Sequence, residues 1–317
     1  MSEPLDLVFA GSSEFAVPSL TRLAADGHRL LAVLTQPDRP AGRKRRLTPT
    51  PVRVAADTLE LPVWTPATLK DEAVHRALED LSPDALVVVD YGLILPEAVL
   101  RIPRMGCING HASLLPRWRG AAPVEHAILA GDNQTGVTVM AMERGLDTGP
   151  VFATRVVALR GDETAGTLRS RLAEDCAELL SETLPGIADG RISAVPQPEE
   201  GALYATKLTT ADARLDWNET AATLARQVRA FNPRPGAHST LAGERMKVLE
   251  AVPINGPAGD AAPGRVVRTG PDGIDVATGD GLLRILRLQM PGRRVVAARE
   301  FINATDPAGR ILGRDGS

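Results

Sequence analysis

Residues 5–34 read LDLVFAGSSEFAVPSLTRLAADGHRLLAVL, and this stretch decides the fold class. Two short apolar runs, Leu5–Ala10 and Leu30–Leu34, flank a segment over residues 15–26 whose apolar side chains recur at helical spacing. A strand, a helix and a second fully apolar strand indicate a parallel β-sheet covered by helices on both faces. The chain therefore begins with the pattern of an α/β domain.

The same alternation of apolar runs and helical periods continues to residue 189. It predicts further strands at 85–89, 107–109 and 137–142, and helices at 52–59, 72–81, 123–130 and 167–184. Continuous apolar strands separated by helices are typical of a Rossmann-like parallel sheet. We therefore expect residues 1–189 to form one α/β domain.

The pattern changes after this domain. Residues 190–206 contain two prolines, paired glutamates and no clear period, which indicates a linker. Beyond it, one helical segment at 221–231 precedes several short strands separated by Gly, Pro and Asp turns. This is the pattern of a small β-barrel of the OB type, so we expect residues 207–317 to form a second, OB-like domain.

Composition excludes several classes of protein. The 317 residues are 44% hydrophobic but only 3% aromatic, so a core must consist mainly of Ala, Leu, Val and Ile. No apolar run approaches the ~20 residues of a membrane-spanning helix, and the first residues show no export signal. The two cysteines, Cys107 and Cys176, show neither metal-ligand spacing nor a disulfide framework. We expect a cytoplasmic protein with no membrane partner and no metal.

The net charge of −3 hides an asymmetry between the two parts of the chain. Residues 1–206 carry 20 basic and 27 acidic side chains, whereas residues 207–317 carry 16 basic and 12 acidic ones. A basic C-terminal part on an acidic body is consistent with a polyanionic partner. Local drift in surface charge explains the asymmetry equally well.

Three polar residues fall at one edge of the predicted sheet. Asn109 and His111 come at the end of the 107–109 strand, and Asp147 lies in the loop after the 137–142 strand. Ligands of open parallel sheets bind beyond the carboxyl ends of the strands. Taken singly, each residue is more often a turn former or a surface or core residue. Their common position favours a functional site.

Two apolar loops lie at the same edge. Residues 113–123 read SLLPRWRGAAP, and residues 91–96 read YGLILP. Leu114 and Leu115 are too apolar for an ordinary exposed loop, so they either form a wall of a flat ligand pocket or pack beneath the following helix. The strand-to-helix turn at residues 11–13 lacks the glycines of a dinucleotide fingerprint, and the chain has no P-loop.

A basic loop follows the second strand. Residues 36–51 are too many for a tight connection between a strand and a helix. They include four consecutive basic residues, Arg43, Lys44, Arg45 and Arg46. Such a run is usually a solvated loop, but its place at the ligand edge of the sheet favours contacts with the phosphates of a nucleic acid.

Taken together, these segments resemble the folate-dependent formyltransferases, and among them those that act on methionyl-tRNA. The resemblance runs nearly from end to end. It is most specific in five stretches: QPDRPAGR at 36–43, YGLILP at 91–96, SLLPRWRGAAP at 113–123, GLDTG at 145–149 and FNPRPG at 231–236.

The resemblance implies a reaction and its substrates. It implies 10-formyltetrahydrofolate as formyl donor and the amino group of initiator methionyl-tRNA as acceptor. We expect the enzyme to act as a monomer. Asn109, His111 and Asp147 would be the catalytic trio. We expect Asn109 and His111 to donate hydrogen bonds to the oxyanion of a tetrahedral intermediate. Asp147 would pair with His111 and take the proton of the amine.

The resemblance also implies where the substrates bind. It gives the tRNA acceptor end to Arg43, Lys44, Arg45 and Arg46, and the body of the tRNA to the basic C-terminal domain. The folate would lie against two loops, formed by Tyr91, Gly92 and Leu93 and by Ser113, Leu114, Leu115 and Pro116.

The sequence departs from the family pattern at two positions. Gly110 stands between Asn109 and His111, where the family usually has a larger apolar residue, and it would loosen the backbone that holds both. Asp90 stands where the family often has a small apolar residue, and it would bring another carboxylate to the site.

Two rival functions share parts of this pattern. A formyltransferase for an amino-sugar nucleotide or for glycinamide ribonucleotide would keep the trio but would not need the basic loop. An RNA-binding protein without catalysis would need the basic loop but would not need the trio.

Overall fold

The computed structural model describes residues 3–41, 46–254, 256 and 259–314. In chain order its strands are β1 (Asp6–Gly11), β2 (Arg29–Leu34), β3 (Arg39–Ala41), β4 (Arg46–Thr48), β5 (Val63–Trp64), β6 (Ala85–Val89), β7 (Cys107–His111), β8 (Arg119–Gly120), β9 (Gln134–Ala141), β10 (Val151–Ala158), β11 (Tyr204–Ala205), β12 (His238–Leu241), β13 (Glu244–Ile254), β14 (Val266–Gly270), β15 (Gly273–Ala277), β16 (Leu282–Gln289) and β17 (Val296–Ala297). Its α-helices are α1 (Val17–Ala25), α2 (Pro51–Thr58), α3 (Glu72–Leu81), α4 (Glu97–Leu100), α5 (Pro123–Ala130), α6 (Ala165–Ala188), α7 (Ala221–Ala230) and α8 (Ala298–Ala304).

The chain divides into two compact units. Unit 1 comprises Met1–Pro123, Gln134–Ala158 and Arg169–Ala205, and unit 2 comprises Val124–Asn133, Leu159–Leu168 and Thr206–Ser317. The domain limits expected from the sequence place all of residues 1–189 together, and they stay a prediction. None of the helices in the described part of the chain is both long and apolar enough to cross a membrane.

The main sheet of unit 1 has seven strands in the order β10-β9-β7-β6-β1-β2-β5. The strands from β7 to β5 are parallel, as the sequence predicts, whereas β9 is antiparallel to both β7 and β10. The sequence did not reveal β10. That strand lies at the edge of the sheet and is mostly only partly buried, and its sequence lacks the continuous apolar run of a fully buried strand.

The core of unit 1 explains why the central strands are so apolar. All five residues of β6 are buried, and the side chains on one face of the sheet pack with those of the helices and loops that cover it. The cluster consists of Val8, Ala10, Ala32, Leu34, Leu69, Leu78, Leu86, Val88, Tyr91, Leu95, Val99 and Cys107. This core fixes the carboxyl ends of β6 and β7, from which the polar residues project.

The expected linker is built into unit 1 over residues 190–205. Val195 pairs with Val151 at an isolated bridge, and β11 pairs in parallel with β8. These contacts use main-chain hydrogen bonds between residues far apart in the chain. Their positions cannot be read from the composition of the segment.

Unit 2 contains an antiparallel sheet in the order β12-β13-β16-β15-β14, with β17 paired to β16. Helix α7 begins at the cap Thr220, whose hydroxyl accepts from the amide of Thr223, and packs against β13. Its buried face includes Leu224 and Val228. The prediction of a β-rich second domain with one preceding helix is confirmed, and short strands in this arrangement are typical of a partly open barrel.

A buried carboxylate anchors this second sheet. Asp275 on β15 is 1% exposed and accepts hydrogen bonds from Arg284 Nε at 2.7 Å and from Arg268 Nε at 2.6 Å. Burial by itself would raise the pKa of Asp275, but the hydrogen bonds and charges of Arg284 and Arg268 outweigh it and lower that pKa. The three side chains tie β14, β15 and β16 together.

We predict that Asp275→Asn lowers the free energy of unfolding by about 3 kcal/mol, because it leaves two guanidinium groups without their buried partner. Denaturant unfolding at pH 7 measures this. Because the pKa of Asp275 is lower in the folded state, the ion pair stabilises fully above the unfolded-state pKa of about 3.9 and is lost as the pH falls through the folded-state value. The difference between the two proteins should therefore shrink below about pH 4.

The matched control is Asp272→Asn, because Asp272 lies 3.9 Å from Arg284 but is exposed. Its effect should stay below about 1 kcal/mol. Equal effects of the two substitutions, or a difference that persists unchanged to pH 2, would contradict this interpretation.

Candidate active site

Strand β7 presents two polar side chains to one face of the sheet. Asn109 and His111 are two residues apart in an extended strand, so they point to the same side, and Gly110 faces the opposite side. The strand runs two residues beyond its predicted end at Asn109. The reason is pairing with the antiparallel β9, in which Asn109 lies opposite Met140 and His111 opposite Thr138.

Asp147 lies between the two antiparallel strands β9 and β10, and three groups approach its carboxylate. The main-chain amide of Gly120 donates to Oδ2 at 2.8 Å, and Asn109 Nδ2 donates to Oδ1 at 3.4 Å. Nδ1 of His111 lies 3.7 Å from Oδ2. The structure therefore brings together the three residues that the sequence predicts to form the trio.

The ring of His111 is oriented by a main-chain carbonyl group. Its Nε2 atom lies 3.0 Å from the carbonyl oxygen of Trp118. A carbonyl oxygen only accepts, so Nε2 is the donor in this contact and Nδ1 is the nitrogen that faces Asp147. His111 is buried, so this contact also satisfies a ring nitrogen away from water.

A cavity of about 400 Å³ opens over the trio. Its walls include the predicted loop of Tyr91, Gly92 and Leu93. At its rim stand two apolar side chains, Ile94 and Leu146, which are 88% and 58% exposed. The size suits a small-molecule ligand, and the walls offer apolar surface beside a few convergent polar groups.

The second predicted folate loop lies elsewhere. None of Ser113, Leu114, Leu115 and Pro116 is among the residues that line this cavity. Ser113 Oγ donates to the carbonyl oxygen of Arg117 at 2.6 Å, and the Leu115 amide donates to Thr138 Oγ1 at 3.2 Å. These bonds fix the shape of the loop that leads into β8. A contact between this loop and folate stays a prediction.

Tyr91 has a buried hydroxyl group with no hydrogen-bond partner among the described residues. Burial raises the pKa of Tyr91 to about 12. Its carbonyl oxygen accepts from Ser12 Oγ and from Gln36 Nε2, each at 2.9 Å. Tyr91 therefore fixes its loop through the main chain, while its ring fills the core.

The unusual Asp90 is exposed and lines the same cavity. Its carboxylate accepts a hydrogen bond from the hydroxyl of Ser13, and its carbonyl oxygen accepts from the amide of Ser12 at 3.1 Å. Asp90 thus joins the turn after β1 to the end of β6.

The structure shows what fills the space beside Gly110, whose loosening effect on β7 stays a prediction. An added Cβ at position 110 would lie 2.5 Å from Sγ of Cys176 on α6 and 3.3 Å from Cδ1 of Leu180. The space of a larger side chain at 110 is therefore filled from the helix by Cys176. Strand and helix pack at close range, and this packing supports the backbone between Asn109 and His111.

Two residues that the sequence did not single out complete the surroundings of Asp147. Gln197 Nε2 donates to the carbonyl oxygens of Asp147 and Gly149 at 2.9 and 2.7 Å, and Gln197 Oε1 accepts from Arg119. Arg119 lies inside the SLLPRWRGAAP stretch, and this family motif was the sequence signal that could have identified it. Gln197 follows Asp147 by 50 residues with no shared period, so no sequence signal could pair them.

The structure describes only part of the basic loop. Arg43, Lys44 and Arg45 lie outside the described residues, whereas Arg46 opens β4 and is exposed. The strands β3 and β4 form an antiparallel hairpin. Near its base, Asp38 Oδ1 accepts from Arg53 Nη1 at 2.9 Å, which ties the hairpin to α2.

The arrangement offers a carboxylate base, an amide donor and an imidazole beside one cavity. A base and a hydrogen-bond donor within reach of the same atom serve reactions in which a nucleophile loses a proton and an oxyanion forms. Among the described residues, no three His, Cys, Asp or Glu side chains are grouped so that they could hold a metal ion.

Comparisons with known proteins agree with this chemistry. Residues 6–184 match the model of the formyl transferase family, and residues 207–306 match the model of the formyl transferase C-terminal domain. A methionyl-tRNA formyltransferase of Stenotrophomonas maltophilia is 53% identical over 94% of this chain and 97% of that protein. The enzyme of the same name from Methylococcus capsulatus is 50% identical over 97% of this chain and 99% of that protein.

Solved structures show the same fold at low identity. HypX from Aquifex aeolicus in complex with tetrahydrofolic acid has a TM-score of 0.65 at 18% identity, covering 95% of this chain and 47% of that one. An N-formyltransferase from Helicobacter canadensis in complex with folinic acid and dTDP-3-aminofucose has a TM-score of 0.67 at 17% identity. That match covers 89% of this chain and 98% of the other.

The contact between Gly110 and Cys176 leads to a stability prediction. Gly110→Ala should lower the free energy of unfolding by about 1–3 kcal/mol, because the new methyl group overlaps Sγ of Cys176. In a Cys176→Ala background the same substitution should cost much less, because the smaller side chain leaves room. Urea unfolding of the four proteins measures the coupling. Strictly additive effects would show that the two positions are independent.

Proposed function

The chain belongs to the formyl transferase family, and we propose that it transfers the formyl group of 10-formyltetrahydrofolate to the amino group of initiator methionyl-tRNA. The product is N-formylmethionyl-tRNA, which is used in translation initiation. Relatives named for this reaction are about half identical over nearly the whole chain. The rival acceptor, an amino sugar, has support only from structures below 25% identity, which share the fold.

The observation that carries this proposal is the convergence of Asn109, His111 and the Gly120 amide on the carboxylate of Asp147. In formyl transfer the amine attacks the formyl carbon and loses a proton, the bond from that carbon to the folate nitrogen breaks, and that nitrogen takes up a proton. Asp147 accepts the proton of the amine, directly or through a water molecule, because its carboxylate lines the cavity beside Asn109 and His111. The Gly120 amide fixes one carboxylate oxygen, which keeps the base in one orientation.

Asn109 stabilises the oxyanion that forms on the formyl group. Its Nδ2 atom carries two hydrogens, and one of them is directed at Asp147. The second is available to the oxygen of the tetrahedral intermediate. A fixed donor of this kind needs no reorganisation when the charge develops.

His111 orients the carboxylate of Asp147 and helps to transfer the proton that the amine loses. Because Nε2 donates to the Trp118 carbonyl, it is Nδ1 that faces the carboxylate. A proton on Nδ1 makes the ring cationic and pairs it with Asp147. We expected both Asn109 and His111 to donate to the oxyanion, and because Nε2 of His111 is engaged by Trp118, we propose that role first for Asn109.

The folate donor binds in the cavity over the trio. Tyr91, Gly92 and Leu93 form one wall, and Ile94 and Leu146 offer apolar surface to a flat ring system. Backbone groups of the 91–93 loop supply polar contacts at the same place. We also propose that folate contacts the 113–116 loop, which leads into β8.

The tRNA binds through positive charge. Arg43, Lys44, Arg45 and Arg46 contact phosphates near the acceptor end, and the basic residues of 207–317 contact the body of the tRNA. The exposed position of Arg46 in the β3–β4 hairpin supports this assignment.

A cytoplasmic location follows from the substrate, because charged tRNA is made and used there. The two free, buried cysteines fit a reducing compartment. The trio is complete within a single chain, which supports action as a monomer.

We predict that Asp147→Asn and Asn109→Ala each reduce the single-turnover rate of formyl transfer by two or more orders of magnitude. The loss of one oxyanion donor costs about 2.7–4 kcal/mol, and the loss of a general base costs about 10²- to 10⁴-fold. Rapid-quench assays with charged initiator tRNA and 10-formyltetrahydrofolate measure the rates.

The control for these variants is Glu79→Gln, an exposed carboxylate on α3 that does not line the cavity, which should retain full turnover. Near-normal rates in Asp147→Asn would remove Asp147 from the mechanism. Formylation of amino-sugar nucleotides in preference to tRNA would replace the proposed acceptor.

We predict that Arg46→Ala raises the KM for tRNA while the KM for the folate donor stays unchanged, because it removes one phosphate contact. The slope of log affinity against log salt should fall by about 1. The matched control is Arg76→Ala, another exposed arginine, on α3. If both variants bind tRNA alike, the basic loop does not contact phosphates.

A further inference from the structure

Gln197 belongs to the expected linker, yet its side chain reaches the loop that carries Asp147. Its Nε2 atom donates to the carbonyl oxygens of Asp147 at 2.9 Å and of Gly149 at 2.7 Å. Its Oε1 atom accepts from Nε and Nη2 of Arg119 at 3.0 and 2.8 Å. All four distances are those of ordinary hydrogen bonds, so the amide group of Gln197 is fully used.

The partners of Gln197 fix which way its amide points. A guanidinium group only donates hydrogen bonds, and a carbonyl oxygen only accepts them. The amide oxygen must therefore face Arg119 and the amide nitrogen must face the Asp147 loop. A reversed amide would oppose donor to donor and acceptor to acceptor, so this orientation follows from chemistry.

Gly120 restrains the side chain of Asp147, and Arg119 restrains its main chain through Gln197. Gly120 donates its amide to the side-chain carboxylate, and Arg119 orients Gln197, which binds the main chain of Asp147. Arg119 is only 3% exposed, so its guanidinium is held in the interior by the amide oxygen of Gln197. An added Cβ at Gly120 would lie 2.6 Å from the carbonyl oxygen of Ala205, so only glycine allows this approach.

Asp147 needs such restraint because of its backbone. Its φ angle is +54°, in the left-handed region that L-residues other than glycine disfavour. A residue stays in this region only when its surroundings over-determine it. Without Gln197, the carbonyl oxygens of Asp147 and Gly149 lose two donors, and the main chain can relax. The carboxylate would then move away from Gly120 and His111.

We infer that Gln197 is a positioning residue for formyl transfer, which acts by holding the main chain of Asp147 so that its carboxylate stays in place. This inference rests on the role proposed for Asp147. It extends the active site to a segment of the chain that lies between the two family signatures.

The first test compares Gln197→Ala with Gln197→Glu. Glutamate keeps an oxygen for Arg119 but offers no donor to the two carbonyl oxygens, so both variants should lose kcat. A misplacement of the base by about 1 Å corresponds to a loss on the order of 100-fold. The KM for 10-formyltetrahydrofolate should stay within about twofold of the wild-type value, because the walls of the cavity are unchanged.

The second test is a double-mutant cycle with Asp147→Asn. If Gln197 acts through the Asp147 carboxylate, Gln197→Ala should change the residual single-turnover rate of Asp147→Asn by less than about twofold. A residue that only supports the fold would lower both rates by the same factor. Thermal melts and circular dichroism of every variant report folding, and Glu199→Gln, an exposed neighbour on the same segment, is the control.

Three results would overturn the inference. They are a Gln197→Glu variant with wild-type kcat, a full additive loss in the cycle, and a folded Gln197→Ala variant with unchanged kcat. They are distinguishable from a failure of the proposed function, because that failure would appear as full activity of Asp147→Asn or as no formylation of methionyl-tRNA by the wild-type protein.

Discussion

The site depends on one constraint, which is that a carboxylate must be held at a fixed place by groups from distant parts of the chain. Asp147 receives the Gly120 amide at its side chain and the Gln197 amide at its main chain, and it lies beside Asn109 and His111. Its left-handed backbone conformation is the conformational cost of that placement. Strand β7 supplies Asn109 and His111, and β8 supplies the Gly120 amide.

The antiparallel pairing of β9 and β10 makes this delivery possible. Antiparallel neighbours can be joined by a short loop, whereas parallel neighbours need a crossover connection. Residues 142–150 form such a loop, which leaves β9 beside Ile108 of β7 and carries Asp147 to Asn109 and His111. A short connection therefore brings Asp147 beside Asn109, although 38 residues separate them along the chain.

The sequence predicts the elements of this molecule that are determined by interactions between residues close together in the chain. Buried strands such as β6 and helices such as α3 carry continuous apolar runs or clear periods, and α3 has the predicted bounds, Glu72–Leu81. Strand ends and family motifs predicted that Asn109, His111 and Asp147 lie together, although the rule applied to Asp147 assumed a parallel β9 and that strand is antiparallel. The edge strand β10 could not be predicted, because its sequence lacks a continuous apolar run. The contacts of Gln197 could not be predicted, because tertiary packing alone sets its partners.

The Gly110 position shows how a local rule depends on its tertiary surroundings. Glycine in a strand is expected to weaken it, since it contributes no side chain to pack. Here the missing volume is supplied by Cys176 from the facing helix, so the strand stays close-packed. Whether a glycine loosens a structure depends on what fills the space beside it.

The exposed apolar rim of the cavity has a thermodynamic consequence. Ile94 and Leu146 hold 88% and 58% of their surface in water, and a flat ring that covers them removes this surface from solvent. Release of water from apolar groups gives binding a negative change in heat capacity. In the proposed binding mode the enthalpy of donor binding therefore becomes more favourable as temperature rises, while the change in affinity stays comparatively small because entropy compensates.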